Sequence, residues 1–202
     1  MDKLNKANTY IRENRIPKDE LPVFHVTPPC GWMNDPNGFS VYQGKTHLFY
    51  QFHPYSEVWG PMHWGHCETT DFVKWTELPV ALAPDQNYDE AGCFSGSGIE
   101  TEAGHLLVYT GVMEKDLNGE KVTYQNQCVA VGDGKRYTKI KQNPVATGDM
   151  LPENFSREHF RDPKVFKGKH HDYFMVLGAQ KSDGKGAVAL AISCDGVHWS
   201  IK

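Results

Sequence analysis

The chain has 202 residues, is 39% hydrophobic and 12% aromatic, and carries a formal net charge of −4 at pH 7. This length suits one domain of ordinary size. The acidic balance without a basic stripe argues against a nucleic-acid partner, and no apolar run approaches the length of a membrane span. The polar N-terminus lacks a secretory signal pattern, so the sequence predicts a cytoplasmic protein.

The cysteine and histidine patterns indicate neither a metal nor a cofactor. The cysteines number five, an odd count, and no pair has Cys-x-x-Cys spacing, so we expect free thiols in a reducing compartment. His63 and His66 are three residues apart. On a strand they would point to opposite faces, which makes a poor metal pair and favours packing in the core or a channel.

The first predicted element lies in residues 3–14. This segment is polar with helical capacity, and Pro17 would stop a helix. Strand-like segments then follow one another to the end of the chain. We therefore predict that residues 1–20 are an N-terminal extension, partly helical, and that residues 21–202 form a β-rich unit.

The most informative segment is Trp-Met-Asn-Asp-Pro-Asn-Gly at residues 32–38. Asp-Pro and Asn-Gly are strong turn dipeptides, and the flanking residues 23–26 and 46–52 are predicted strands. Asp35 would then sit at a strand end, where the backbone fixes its carboxylate beside the Asn34 amide and an aromatic wall. A sugar-processing site needs that arrangement, although an Asx-type loop turn explains the same residues.

A pattern of constant period runs through the chain. Three times an Asp follows a predicted strand and precedes an aromatic residue by four positions. The step from one Asp to the next is 62 residues, and the pairs are Asp71/Trp75, Asp133/Tyr137 and Asp195/Trp199. The predicted strands between and around these pairs lie at residues 62–68, 106–112, 122–124, 126–131, 164–166, 173–177 and 187–193.

A period near 60 residues with several short strands fits one four-stranded propeller blade. The sequence therefore predicts an all-β fold, a β-propeller of which about three blades are present. Three blades do not close a ring. The open strand edges predict either the N-terminal part of a longer protein or an assembly that closes the ring, with self-association through those edges.

A second Asp-Pro dipeptide, in Phe-Arg-Asp-Pro-Lys at residues 160–164, places Asp162 ahead of a predicted strand. Arg161 beside it could orient an anion or bond sugar hydroxyls. Taken alone, the segment fits a plain surface turn. Because equivalent strand starts in a propeller converge on the central channel, we expect Asp35 and Asp162 to face each other across one cavity.

Three further features would line that cavity. Gln51 follows a predicted strand, and Trp59 lies in a loop where an exposed aromatic residue is unusual. Residues 94–98, Phe-Ser-Gly-Ser-Gly, offer hydroxyls on a backbone that a ligand can approach closely. A glycine-rich hairpin is the alternative interpretation of this last segment.

Four motifs, in this order, closely resemble glycoside hydrolase family 32, the invertase or β-fructosidase family. They are the segment at 32–38, Phe-Tyr-Gln at 49–51, Phe-Ser-Gly-Ser at 94–97 and Arg-Asp-Pro at 161–163. The sequence between them is similar to that of the family's bacterial sucrose-6-phosphate hydrolases. The resemblance implies a five-bladed β-propeller followed by a β-sandwich, and retaining hydrolysis of small-molecule β-fructofuranosides.

The resemblance also implies a role for each site residue. Asp35 would be the nucleophile that forms a fructosyl-enzyme, and Asp162 would be the transition-state stabiliser. Fixed negative charge near the ring lowers the energy of an oxocarbenium-like transition state. The fructose subsite would be shaped by Asn34, Gln51, Trp59, Phe94, Ser95 and Arg161.

The family's acid/base residue has no counterpart in this sequence. In the family it is a Glu in a Glu-Cys pair downstream of Arg-Asp-Pro, whereas this chain has no Glu-Cys pair and no Glu after Asp162. Because general acid assistance contributes roughly 10²–10⁴-fold, we expect a full-length parent to be the hydrolase and this chain to be nearly inactive alone. In-chain substitutes would be Glu57, Glu68, Glu90 and Glu158, and a substrate phosphate could be met by Lys115, Lys121 or Arg157.

Three other interpretations stay open at this point. The same residues suit a non-catalytic fructoside-binding propeller module, because sugar-binding sites without catalysis also use carboxylates and aromatics. A propeller glycosidase acting on arabinose or xylose would share the carboxylate layout but not the segment at 32–38. A fructosyltransferase would use the same chemistry with a sugar acceptor.

Overall fold

The structure is a computed structural model that describes residues 2–169 and 172–202. These residues form one α-helix, α1 (Lys3–Glu13), and three four-stranded antiparallel sheets, here called blades 1, 2 and 3. Blade 1 consists of β1 (Trp32–Tyr42), β2 (Lys45–His53), β3 (His63–Thr69) and β4 (Thr76–Leu82). Blade 2 consists of β5 (Gly92–Thr101), β6 (Gly104–Leu117), β7 (Glu120–Gly132) and β8 (Tyr137–Lys139). Blade 3 consists of β9 (Phe155–Lys167), β10 (Tyr173–Lys181), β11 (Gly186–Ser193) and β12 (Ser200–Ile201).

Each blade is a simple meander, because the strands pair in the order in which they follow along the chain. The first strands β1, β5 and β9 each pair with one neighbour only within their own sheet. They also lie next to one another, β1 against β5 and β5 against β9. The first strands therefore line one shared inner surface. None of the helices formed by the described residues is long and apolar enough to cross a membrane.

Several predicted elements are confirmed and two are wrong. The helix expected in residues 3–14 is α1, and most predicted strands lie within observed ones. Residues 23–26 do not form a strand: Val23 is 99% exposed, and Pro22 shortly before it has no N–H to donate to a ladder. Residues 122–124 and 126–131, predicted as two strands, belong to the single long strand β7.

The 62-residue repeat reflects the same turn in every blade, between its third and fourth strands. In each turn one carboxylate oxygen of the Asp accepts two backbone N–H groups, at 2.8 to 2.9 Å, from the residues two and three positions later. These hydrogen bonds lower the pKa of Asp71, Asp133 and Asp195. The Asp thus closes the turn that returns the chain to the outer strand.

Apolar faces hold neighbouring blades together. One buried cluster lies between blades 1 and 2 and includes Phe49, Trp64 and Tyr109. A second lies between blades 2 and 3 and includes Val129 and Met175. Helix α1 covers the remaining face of blade 1 in part, where its buried residues are Ala7 and Ile11.

Blade 3 also presents apolar residues on the flank that faces away from blade 2. Val188 is 76% and Phe166 is 42% exposed there, and Phe166 stacks on Phe174 of the adjacent strand with ring centroids 5.5 Å apart. An apolar sheet face of this kind is normally covered by another element. Self-association through this flank stays a prediction.

Three buried histidines lie in the seam between blades 1 and 2. His47 Nδ1 and His66 Nε2 are 3.0 Å apart, and His105 contacts Ser40 Oγ and the Tyr137 hydroxyl at 2.8 Å each. Because the Ser40 hydroxyl donates to a backbone carbonyl, Nε2 of His105 must donate to Ser40, which leaves Nδ1 to accept from Tyr137. The cluster is therefore built for neutral imidazoles.

Burial lowers the pKa of all three histidines, to about 3 for His105 and well below the usual value for His66. The neighbouring imidazoles reinforce the effect at His66 and His105. Near His47, the charged groups that line the adjoining cavity are Lys45, Glu68, Asp133 and Lys135.

We predict that the free energy of unfolding falls as the pH drops below about 6.5, where histidines of the unfolded chain begin to bind protons. The folded state cannot bind them until the pH reaches its much lower pKa values. Each buried histidine then costs up to about 1.4 kcal/mol per pH unit. Urea unfolding between pH 7 and pH 5 should show a shallower slope for His105→Gln. The same substitution at the exposed His25 is the control, and equal slopes for the two variants would contradict the assignment.

Candidate active site

The site lies where each inner strand carries one extra residue relative to its pairing partner; β1 and β9 each have a second irregularity elsewhere. The pairing register slips by one residue at Asn34-Asp35 in β1, at Ser95 in β5 and at Asp162-Pro163 in β9. Such β-bulges re-aim side chains that would otherwise alternate between the two faces of the sheet. The polar residues of three blades are thereby brought to one level of the shared inner surface.

Asp35 does not sit in a turn at a strand end, as the dipeptides suggested, but inside strand β1. The Asp-Pro dipeptide is tolerated because an inner strand pairs on one side only, so the missing N–H of Pro36 interrupts no second ladder. The same holds for Asp162 and Pro163 in β9. Both Asp-Pro dipeptides, predicted as turns at strand ends, therefore mark β-bulges inside strands.

The Asp35 carboxylate contacts the next blade directly. Its Oδ2 accepts the Ser95 hydroxyl at 3.2 Å. The bulge at Ser95 requires a glycine beside it, because a Cβ on Gly96 would lie 2.1 Å from the carbonyl oxygen of Val108. Ser95 thus reaches across the seam between blades 1 and 2 and holds one carboxylate oxygen of Asp35.

Asp162 occupies the corresponding place in blade 3. Its backbone is left-handed, with φ of +60°, a conformation that non-glycine residues adopt rarely. Partial burial raises the pKa of the Asp162 carboxyl, the Arg161 guanidinium at 3.7 Å opposes this, and the negative charge of Asp35 adds to it. The negative charge of Asp35 thus acts on the Asp162 carboxyl. That the two carboxylates face each other across one cavity stays a prediction.

Arg161 is held by hydrogen bonds on the side away from Asp162. Its Nη1 donates to Gln125 Oε1 at 3.4 Å and lies 3.3 Å from His159 Nδ1. A cavity of about 290 Å³ lies in front of this group, lined by His159, Arg161, Asp162, Gly178, Ala179, Gln180 and Gly186. The guanidinium can therefore meet a ligand oxygen in that space.

Aromatic side chains flank the polar residues of blades 1 and 2. Trp59 is 55% exposed, and its ring meets the edge of Phe94 with centroids 6.1 Å apart. On the strand of Asp35, the Trp32 indole N–H donates to Asn34 Oδ1 at 2.8 Å, which fixes the amide next to the nucleophile candidate. Exposed aromatic faces of this kind suit sugar stacking.

Gln51 of β2 is buried against β5. It is 3% exposed, and its Nε2 donates to the backbone carbonyl of Cys93 at 3.0 Å. In a parallel contact, the Trp64 indole N–H donates to the carbonyl of Phe94 at 3.1 Å. In this structure Gln51 therefore supports the backbone that carries Phe94 and Ser95.

Thr110, Ser97, Gln125 and Gln127 also contact the site, and sequence reasoning missed their roles. Thr110 Oγ1 accepts the N–H of Asp162 at 3.0 Å, and Ser97 Oγ donates to the carbonyl of Pro163 at 2.7 Å. Nothing in the local pattern marks Thr110, which reads as an ordinary strand residue. Ser97 was visible only as part of the Phe-Ser-Gly-Ser motif.

The acidic candidates for a proton donor occupy different places. Glu90 lines a cavity of about 570 Å³ together with Trp59, and Glu158 lines one of about 550 Å³ together with His159. Glu68 instead pairs with Lys45 at 2.6 Å. Of these, Glu158 lies nearer to Asp162, because His159 lines both its cavity and that of Asp162.

The basic residues considered for a phosphate are engaged to different degrees. Lys121 pairs with Glu114 at 3.4 Å, and Lys115 stands 5.2 Å from the centre of the Tyr124 ring. Both lysines are surface residues of the cavity that Trp59 lines. Arg157 instead donates to backbone carbonyls and pairs with Asp149. Its guanidinium is therefore already engaged by groups of the protein.

A family model described as the N-terminal domain of glycosyl hydrolases family 32 matches residues 25–202. A sucrose-6-phosphate hydrolase of Zymomonas mobilis is 44% identical over 183 residues, which cover 88% of this chain and 35% of that protein. A raffinose invertase of Escherichia coli is 44% identical over 173 residues, covering 84% and 34%. The chain thus spans about 35% of the length of the curated relatives it matches.

Solved structures give the same result. A GH32 β-fructofuranosidase of Bombyx mori superposes with a TM-score of 0.83 at 38% identity, covering 98% of this chain and 41% of that one. A mutant of that enzyme was solved in complex with sucrose. A sucrose-6-phosphate hydrolase of Lactobacillus gasseri has a TM-score of 0.80 at 34% identity, covering 98% and 39%. These similarities confirm the propeller interpretation of the three blades.

We predict that Asp35→Asn lowers the pKa of the Asp162 carboxyl, because it removes a nearby negative charge that disfavours ionisation. Carbon-13 NMR titration of labelled aspartate side chains measures this shift directly, with the signal assigned by Asp162→Asn. Asp19→Asn, which removes an exposed carboxylate from the N-terminal segment, is the matched control. If the Asp162 pKa is the same in the wild type, Asp35→Asn and Asp19→Asn, the two carboxylates do not share a site.

Proposed function

The chain belongs to glycosyl hydrolases family 32, and from this premise we propose that it carries the nucleophile half of a retaining β-fructofuranosidase site. The observation that supports the proposal most is the meeting of the three bulges. The bulges carry a carboxylate in blade 1, a hydroxyl in blade 2 and a carboxylate in blade 3, and the hydroxyl of Ser95 donates to Asp35.

In the proposed reaction, an oxygen of Asp35 attacks the anomeric carbon of the fructosyl unit as the glycosidic bond breaks. The leaving oxygen takes a proton from an acid, and a covalent fructosyl-enzyme forms. Water then attacks the same carbon and gives a proton to the conjugate base of that acid, while the bond to Asp35 breaks and fructose is released with retained configuration. The hydrogen bond from Ser95 fixes the other Asp35 oxygen, so that one lone pair stays aimed at the sugar.

Asp162 would stabilise the positive charge that develops on the fructose ring. Its carboxylate forms a 3.7 Å ion pair with Arg161, and the negative charge of Asp35 acts on it. Arg161 would bond a sugar hydroxyl, with Asn34 and Phe94 forming the remaining sides of the subsite. A preorganised charge of this kind acts where charge develops.

The scheme needs a proton donor other than the two aspartates. Because no Glu follows Asp162 in residues 1–202, we propose that these residues alone hydrolyse ordinary β-fructosides slowly. The same observation favours one alternative, a fructoside-binding propeller module without catalysis. A measurable covalent step at Asp35 separates the two.

For the substrate we propose sucrose or sucrose 6-phosphate, on the strength of the names of the similar proteins. We further propose a cytoplasmic location, supported by five free cysteines, of which four are buried. Lys115 and Lys121 would meet a phosphate on the leaving sugar through the cavity beside Trp59. Hydrolysis and transfer of fructose to a sugar acceptor share the same first step.

We predict that Asp35→Asn lowers the rate of sucrose and sucrose 6-phosphate hydrolysis by at least about 10³-fold in the full-length gene product, because the amide cannot form the covalent intermediate. Asp162→Asn should cost about 10²–10³-fold, mainly in kcat, through lost charge stabilisation. Free fructose is measured in a coupled assay.

The control is Glu102→Gln, an exposed carboxylate at the tip of the β5–β6 hairpin, which should leave the rates unchanged. If the Asp35→Asn variant hydrolyses these substrates at the wild-type rate, Asp35 is not the nucleophile. A wild-type protein that binds sucrose but never cleaves it would support the binding-module alternative.

A further inference from the structure

The backbone of the Asp162-Pro163 bulge is held by side chains of the neighbouring blade. The N–H of Asp162 donates to Thr110 Oγ1 at 3.0 Å. The carbonyl of Pro163 accepts the Ser97 hydroxyl at 2.7 Å, and the N–H of Val165 donates back to Ser97 Oγ at 2.8 Å. Both hydroxyls belong to blade 2, whereas the bulge belongs to blade 3.

Both hydroxyls are enclosed by protein. Thr110 is 0% and Ser97 is 5% exposed, so water does not readily replace a bond that either of them loses. A buried backbone N–H or C=O without a partner is strongly disfavoured. The geometry of the bulge is therefore coupled to the position of these two side chains.

Thr110 also connects the two halves of the candidate site. Its hydroxyl hydrogen faces the carbonyl of Ser95 at 3.1 Å and Gln127 Oε1 at 3.2 Å, while its oxygen accepts from Asp162. The hydroxyl of Ser95 in turn donates to Asp35. A short chain of contacts thus runs from one carboxylate-bearing bulge to the other through a single buried threonine.

We infer that Thr110 and Ser97 are positioning residues, which clamp the Asp162 bulge onto blade 2 and thereby set the separation of the Asp35 and Asp162 carboxylates. The inference rests on the proposed function for its effect on the reaction. Neither hydroxyl touches the substrate space. Their role is to keep Asp162 in its left-handed conformation, which its own strand pairing does not enforce because the register slips there.

The position of a charge-stabilising carboxylate controls the rate steeply, since a displacement of about 1 Å can cost about 10²-fold. Replacing Thr110 by the isosteric valine removes the hydroxyl and keeps the volume. Replacing it by serine keeps the hydroxyl and removes only a methyl group. The pair of variants therefore separates the hydrogen bond from the packing.

The first test needs no catalytic activity. Backbone amide hydrogen exchange, resolved residue by residue by NMR, is measured in the wild type, Thr110→Val and Thr110→Ser. We expect the Asp162 amide to exchange at least about 10-fold faster in Thr110→Val, because its acceptor is gone, and to stay protected in Thr110→Ser. Thr101→Val, which removes a hydroxyl from a turn contact elsewhere in blade 2, should leave the Asp162 amide unchanged.

The second test is kinetic and uses the full-length gene product. We expect Thr110→Val to lower kcat on a β-fructoside by about 10²-fold with a smaller change in KM, Thr110→Ser to recover most of that loss, and Thr101→Val to behave as wild type. A merely structural role would instead lower the amount of folded protein and leave kcat per folded molecule unchanged.

The outcomes are distinct. Wild-type exchange at Asp162 together with wild-type kcat in Thr110→Val would overturn the inference. Absence of hydrolysis in the wild type would refute the proposed function, while the exchange data would still decide whether the clamp exists. If Thr110→Val does not fold, Ser97→Ala takes its place. The expected result is then faster exchange at Val165, and unchanged exchange there would again overturn the inference.

Discussion

The arrangement of this site depends on one constraint, which is that each inner strand pairs on a single side. A strand with a free edge can take in an extra residue without breaking a second ladder, and all three inner strands do so at the same level. The extra residue interrupts the regular alternation of side chains, so that the side chain at the bulge points toward the shared inner surface. Asp35, Ser95 and Asp162 all owe their placement to this departure from regular strand geometry.

The seams between blades combine two kinds of contact with different consequences. Apolar clusters around Trp64 and Met175 supply the bulk of the burial and tolerate small shifts. Hydroxyl and imidazole contacts, such as those of Ser97 and His105, fix the register between blades, because an unmade buried hydrogen bond costs about 1–3 kcal/mol. The Ser97 contact lies at the Asp162 bulge, so a buried hydroxyl helps to give an exposed carboxylate a defined geometry on the inner surface.

The sequence predicted the blade repeat, the strands and the pair of Asp-Pro carboxylates, because each rests on local chemistry. The Asp71-type turn is a capped turn that its own residues enforce. The strand expected at residues 23–26 does not form. The placement of Asp35 inside β1 was missed, since turn dipeptides and bulges share the same residues. Thr110 could not be found, because its contacts come from strands 15 and 52 residues away along the chain. Residues that act across a seam become visible only when the blades are assembled.

The proposed covalent bond between Asp35 and fructose is tested most directly by trapping the fructosyl-enzyme. A β-fructoside with an activated leaving group needs little acid assistance, so residues 1–202 can be tested as they stand. Rapid quenching, proteolysis and mass spectrometry should find a fructosyl adduct on the peptide that contains Asp35, and none in Asp35→Asn. Release of the leaving group with no adduct, or with an adduct on another carboxylate, would contradict the account.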